Sequence, residues 1–209
     1  EPDALAAVAD ALRRSRSLAR LDLGDNPGIG DAGCAILAEG IRFNSSLTDL
    51  DLSNTGVTDN GIRQLIKKFK EAHDSRAQSH VKACVARLNL AFNCYGALGP
   101  TAMFKALSLG STLRDICLSG LNAEGAARLA EAICQGKTPL ERLRLLACQV
   151  DLGFGASVAT ILTCNTLTGL QIGDAVRADV LQLMLAPLAT REAMLSGLSV
   201  ANSHLDHSA

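Results

Sequence analysis

Apolar positions recur along this chain in one phrase, Leu-x-x-Leu-x-Leu, in which Val or Ile can stand for Leu. It begins at Leu18 (LARLDLGDN), Leu47 (LTDLDLSNT), Val85 (VARLNLAFN), Leu113 (LRDICLSGL), Leu140 (LERLRLLAC), Leu167 (LTGLQIGDA) and Leu195 (LSGLSVANS). The intervals are 29, 38, 28, 27, 27 and 28 residues, and five of the six agree within two residues, which chance does not produce. The end of each phrase alternates apolar and polar residues, as in Leu21-Asp22-Leu23 and Leu50-Asp51-Leu52, the period-2 signal of a short strand. Between phrases the period becomes helical. Gly33, Leu37, Ala38 and Ile41 form one apolar stripe, repeated by Gly61, Leu65, Ile66 and Phe69, by Gly99, Met103, Phe104 and Leu107, and by Gly125, Leu129, Ala130 and Ile133. Val158, Ala159 and Leu162, then Val180, Met184 and Leu188, keep the stripe less regularly. The leading glycine is expected to let each helix start close against the strand of its own unit. A strand plus a helix in about 28 residues is the unit of a curved α/β solenoid, with a parallel sheet inside and helices outside.

The residue three past the last aliphatic of the phrase is Asn26 in the first unit and Asn93 in the third. A side-chain amide there can bond backbone groups as the chain leaves the strand. Later units carry Cys148, Ala175 or Ser203 at this place, so such a ladder weakens towards the C-terminus. The phrase LxxLxLxxN, followed by Gly and an amphipathic helix, resembles leucine-rich repeats of the ribonuclease-inhibitor type. LDLGDNPGIGDAGCAILAEGI and LDLSNTGVTDNGIRQLIKKF carry the resemblance most fully, and it extends over essentially the whole chain. It implies an α/β leucine-rich repeat solenoid of about six to seven repeats and protein recognition, usually inside cells. The family also includes NOD-like receptors, tropomodulin-like cytoskeletal proteins and Ran GTPase-activating proteins.

The expected organisation is one domain over residues 1–209, a segment of a longer protein. Residues 1–17 read as the helix of a preceding repeat, with Leu5, Val8 and Leu12 on one side. The phrase at Leu195 has only a few residues after it and no helix to cover it. Solenoid ends need polar caps, so flanking sequence or neighbouring chains are expected to cover both terminal repeats. The long second unit holds a polar excess at about residues 73–82, HDSRAQSHVK. It reads either as a solvated loop or as a projection from the rim that touches a partner.

Composition narrows the function classes. A net charge of −1, with one Tyr, five Phe and no Trp, gives no broad basic surface and no stacking platform for nucleic acid. No apolar run spans a bilayer, and no signal-peptide pattern opens the chain. The seven cysteines are odd in number, lack a Cys-x-x-Cys pair and lie mostly in apolar strings such as Cys34-Ala35-Ile36-Leu37. That usage fits small hydrophobes in a reducing cytoplasm, where the triplet Asn44-Ser45-Ser46 goes unglycosylated.

The chemical motifs are sparse. Gly28-Ile29-Gly30-Asp31-Ala32-Gly33 matches GxGxxG, but its counterpart Gly56-Val57-Thr58-Asp59-Asn60-Gly61 does not, and the short period leaves no room for a Rossmann sheet. His73 and His80 with Glu71 fit no metal-ligand spacing, and His204, Asp206 and His207 sit in a tail. No catalytic residue, metal or cofactor is expected.

A binding role has a place to act. The polar residue between the last two apolar positions faces out of the concave sheet, giving the row Asp22, Asp51, Asn89, Cys117, Arg144, Gln171 and Ser199. Beside it runs Arg20, Asp49, Arg87, Asp115, Arg142, Gly169 and Gly197. This surface starts acidic, alternates in sign, turns basic at Arg142 and Arg144, and ends small and neutral. The candidate partner-binding residues are Arg20, Asp22, Asp49, Asp51, Arg87, Asn89, Asp115, Arg142, Arg144 and Gln171, and the expected partner is another protein, not nucleic acid or membrane. Two other readings stand beside it. One is a structural subunit of a larger assembly such as the cytoskeleton. The other is a GTPase-activating role like that of the Ran type, which needs a loop arginine that does not map here and an acidic tail where this chain ends NSHLDHSA.

Overall fold

A computed structural model describes residues 2–76, 85–96, 98–107, 112–136, 140–164, 167–190 and 195–200. Over these residues helices and strands alternate: α1 (Pro2–Arg14), β1 (Arg20–Asp22), α2 (Gly30–Arg42), β2 (Asp49–Asp51), α3 (Asp59–Arg76), β3 (Arg87–Asn89), α4 (Leu98–Leu107), β4 (Asp115–Ser119), α5 (Ala123–Gly136), β5 (Arg142–Leu146), α6 (Leu152–Cys164), β6 (Gly169–Ile172), α7 (Ala178–Ala189) and β7 (Gly197–Val200). The strands form one parallel sheet in chain order, and each helix packs on the next. Parallel strands stand about 4.8 Å apart while packed helices need about 8–10 Å, so the stack bends with the sheet on its inner side. This is the α/β leucine-rich repeat solenoid.

The core is a stack of identical positions. Leu50, Leu88, Ile116, Leu143 and Leu170 lie side by side against the helices, all at most 3% exposed. Leu52, Leu90, Leu118, Leu145 and Ile172 form a second buried row two residues on. The helical stripes meet them: Leu37, Ala38, Leu65, Ile66, Leu129, Ile133, Val158, Leu162, Val180 and Met184 are buried.

The glycines that open the stripes have a different reason from the one expected. A Cβ on Gly61 would stand 2.4 Å from Asp31 Oδ1 of α2, and one on Gly99 would stand 2.6 Å from Asp59 Oδ1 of α3. The close approach is therefore to the preceding repeat, not to the unit's own strand. Asp31 and Asp59 sit in the first turns of those helices and bind across the gap. Asp31 accepts from Thr58 N at 2.8 Å and Thr58 Oγ1 at 2.6 Å, and Asp59 Oδ1 accepts from Gly96 N and Gly99 N at 3.1 and 2.7 Å. Burial pushes the Asp31 carboxyl up, but the bonds led by the Thr58 hydroxyl and amide hold it below the ordinary value.

The turn leaving each strand has a shared backbone shape. Asp25, Asn54, Phe92, Gly120 and Ala147 each stand two residues past the last aliphatic of their phrase, with φ between +49° and +72°. Asp, Asn and Gly tolerate this left-handed conformation, whereas Phe92 and Ala147 are strained in it by about 1 kcal/mol each. Ala147→Gly is accordingly expected to stabilise the fold by about 0.5 kcal/mol once the greater unfolded-state freedom of Gly is subtracted. Urea titration checks this, and a destabilised variant contradicts it.

The GxGxxG segment leads from this turn into α2. Gly30 has φ +53°, and its N–H is occupied by Thr55 O of the next repeat at 2.8 Å. The polar excess of the second unit falls partly in α3, which runs to Arg76. Its remainder, with His80, lies outside the described residues, as do His204, Asp206 and His207. Glu71 is engaged elsewhere, with Lys68 Nζ at 3.1 Å and Arg42 Nη1 at 3.4 Å.

Candidate functional site

Strand register places the two polar rows as alternation requires. Arg20, Asp49, Arg87, Asp115, Arg142, Gly169 and Gly197 are consecutive Cα partners, and so are Asp22, Asp51, Asn89, Cys117, Arg144, Gln171 and Ser199. Both rows face away from the helices, on the concave side.

The alternating signs are used within the sheet. Asp49, with 14% of its side chain exposed, lies between Arg20 Nε at 3.8 Å and the Arg87 guanidinium, which hydrogen-bonds its Oδ1. Thr48 Oγ1 donates to the other oxygen at 2.6 Å. The Arg87 bond above all holds the Asp49 carboxyl below its ordinary value of 3.8. A depressed carboxyl stabilises the fold above its unfolded value and loses that contribution as pH falls through the folded one. The stability difference between wild type and Asp49→Asn is therefore expected to be full at neutral pH and to shrink below about pH 4. A difference independent of pH, in denaturant titrations across that range, contradicts the assignment.

Asp22 and Asp51 stand apart from this pairing. Each accepts the amide two residues on, Gly24 N at 2.9 Å and Ser53 N at 2.8 Å, and Asn89 Nδ2 donates to Asp51 Oδ2 at 2.8 Å. No ion pair involves either carboxylate among the described residues, so they repel one another across neighbouring strands.

Further along, the face closes over. Asp115, read from sequence as an exposed charge, is only 7% exposed, and Cys117 beside it is 1% exposed. Arg142 Nε and Arg144 Nη2 each approach Asp115 to 3.4 Å. Arg144 also lines an open depression of about 190 Å³ over β1–β3, together with Arg20, Asp22, Asp51, Arg87 and Asn89. Its side chain thus reaches back across β4, which accounts for the burial of Cys117 beneath it. Gly169, Gln171, Gly197 and Ser199 leave the concave face of β6 and β7 low and uncharged. The ten candidate residues therefore form a charged floor over β1–β5, with Gln171 alone on the neutral end.

Cys34 is fully buried and pushed up to about 12, and burial raises Cys117 and Cys148 as well. Cys94 is exposed. Among the described residues no group of His, Cys, Asp and Glu is arranged to hold a metal ion, and no helix is long and apolar enough to cross a membrane. Asn44, the head of the glycosylation triplet, is 3% exposed. Its amide caps α1, donating to Leu12 O at 2.7 Å, and accepts Leu47 N at 2.7 Å.

Known proteins share this architecture. A family model described as leucine rich repeat matches residues 14–38 and 43–65. Ribonuclease inhibitor from Sus scrofa is 27% identical over 225 residues, covering 94% of this chain and 49% of the inhibitor. The chain is a leucine-rich repeat protein of the ribonuclease-inhibitor-like type. A second relative, NACHT, LRR and PYD domains-containing protein 5 from Homo sapiens, is 31% identical over 142 residues, 68% of this chain and 11% of that protein. The chain thus spans about half the length of the inhibitor and about a tenth of the larger relative. Among solved structures, the tropomodulin C-terminal domain of Caenorhabditis elegans superposes with a TM-score of 0.55 at 10% identity, covering 91% of this chain and 97% of that domain, a likeness of fold alone.

Proposed function

We propose that this solenoid is a protein-recognition module that takes its partner on the concave face, with Arg20, Asp22, Asp49, Asp51, Arg87, Asn89, Arg142, Arg144 and Gln171 forming the contact surface and the buried Asp115 beneath the two β5 arginines. The observation that carries this reading is the charge distribution over a continuous, in-register floor. Asp22 and Asp51 repel each other at one end, while Arg142 and Arg144 share the single carboxylate Asp115 at the other. Both arrangements leave charge uncompensated in the unliganded sheet, whereas a complementary protein offsets both. A dipolar floor selects partners by sign and orientation and speeds their encounter at low salt. The similarity to a protein named as a ribonuclease inhibitor supports recognition of protein by protein, without naming this chain's partner.

The test is affinity capture from a cell extract with the intact chain beside the variant Asp22→Arg, Asp51→Arg, Arg142→Glu and Arg144→Glu. A captured protein that the variant loses by about tenfold or more supports the reading. An unchanged captured set overturns it.

A further inference from the structure

Around β5 the charges do not balance. Arg142 and Arg144 both lean on Asp115, yet neither forms an aligned hydrogen bond with it. Both contacts are 3.4 Å, and Asp115 Oδ1 and Arg144 Nε are each buried without a hydrogen-bond partner. The two unpaired atoms are a donor and an acceptor on residues already in ion-pair range. Asp115 is held between two cations and satisfies neither, a costly state for a side chain only 10% exposed. On the far side, β6 and β7 present Gly169, Gln171, Gly197 and Ser199, so neither of these strands offers Arg142 a carboxylate on the concave rows.

The geometry also fixes which guanidinium is available. Arg142 keeps 56% of its side chain exposed, against 38% for Arg144. Its stem lies over Gly169: a Cβ there would stand 2.9 Å from Arg142 Cγ and 3.5 Å from Cδ. Gly169 is thus a cradle for the Arg142 stem, and Gly197 beside it keeps the approach open.

We infer that Arg142 is the seat for a carboxylate side chain, Asp or Glu, of the protein that docks on the concave face, with Gly169 as its positioning residue. The inference rests on the concave-face reading above. When an outside carboxylate engages Arg142, Asp115 is released to Arg144, and Nε and Nη2 of Arg144 can each donate to one carboxylate oxygen as a bidentate pair, which satisfies both unpaired atoms. One incoming anion thereby completes two ion pairs. The neutral floor of β6 and β7 accommodates the backbone that carries it.

The experiment uses the intact chain labelled with nitrogen-15 and follows its arginine Nε–Hε resonances. The probe is the capped peptide acetyl-Gly-Glu-Gly-amide, with acetyl-Gly-Gln-Gly-amide and inorganic phosphate as comparisons. The expected result is a saturable shift of Arg142 and Arg144 with the Glu peptide only. Arg142→Gln is expected to remove it, and Gly169→Val to weaken it about tenfold while Arg142 remains and circular dichroism is unchanged. Equal shifts with the Gln peptide, or equal shifts at Arg20 and at the exposed Arg177 directly before α7, overturn the inference. Tighter binding of phosphate than of the Glu peptide also overturns it, in favour of a small-anion site. If Arg142 stays silent while the fourfold charge reversal still abolishes capture, this seat fails and the concave-face reading stands. If Arg142 takes the Glu peptide but capture survives the reversal, the seat stands as an anion site and the concave-face reading fails.

Discussion

Asn93→Ala is expected to lower the stability of the solenoid by about 3 kcal/mol, from the loss of several hydrogen bonds to partly buried backbone groups at roughly 1 kcal/mol each. Asn93 Nδ2 donates to Leu52 O at 2.6 Å and Leu90 O at 3.0 Å, so one amide serves the carbonyls of two successive strand ends. Its Oδ1 accepts Thr55 N at 2.9 Å and Val57 N at 3.0 Å. Thr55 holds the equivalent place in the second repeat, and its hydroxyl lies 2.7 Å from its own Leu52 O and 3.2 Å from Asn93 Oδ1 of the next repeat. Asn93 therefore fastens two repeats. Alanine leaves donors and acceptors in a region water reaches poorly, which explains a cost above that of an ordinary surface bond. For a chain of this size the loss corresponds to a fall in Tm of about 6–12 °C. Hydrogen exchange is expected to rise first in the turns after β2 and β3, because repeat stability is a sum of neighbour terms. A change below about 1 kcal/mol means that the ladder is not a principal tie.

Gly40→Ala is expected to detach the first helix while leaving the rest of the stack folded, at a cost of about 2–3 kcal/mol. A Cβ at residue 40 would lie 2.4 Å from Ala9 O and 2.7 Å from Ala9 Cα. Those are backbone atoms of α1, so no rotamer change relieves the clash. α1 contacts only α2 among the described elements, through Leu12 and Ala9, and through the Asn44 bond that caps its last turn. Moving it away uncovers Leu12, which is fully buried, and Leu37 and Ala38 behind it. The measurement is hydrogen exchange by mass spectrometry. Peptides from 2–14 are expected to lose protection, while β3 to β6 keep theirs. Uniform loss along the chain contradicts a local effect, and unchanged α1 protection contradicts the packing argument.

Much of this fold is legible in the sequence because a parallel solenoid forces equivalent residues into register. Once the phrase is found, aligning Leu21, Leu50 and Leu88 also aligns Arg20 with Asp49 and Arg87, with no freedom left to slip. What the residues then do to one another is less legible. Asp115 is polar in every propensity sense, and its burial comes from two arginines on β5 folding back over β4. Cys117 in a row of polar residues was the one hint that this stretch is covered. The left-handed turn is readable at Asp25, Asn54 and Gly120, but Phe92 and Ala147 hide it because nothing local favours that conformation there. The glycines of the helical stripes were visible, yet their partner was not. Whether a small residue yields to its own strand or to the neighbouring helix is decided by packing between repeats. Asn44 shows the same limit: a surface-type triplet whose amide is spent on the end of α1.

The most direct test of concave-face recognition is site-specific photo-cross-linking in a cell extract. A photoreactive residue is placed at Asp22 or Gln171 on the concave rows, and in parallel at Gln135 or Gln182 on the exposed faces of α5 and α7. Concave-face recognition predicts that one and the same protein is cross-linked from both concave positions and from neither helical one. Cross-linking that concentrates at Gln135 or Gln182, with the concave positions empty, would contradict it and move the binding surface to the convex side.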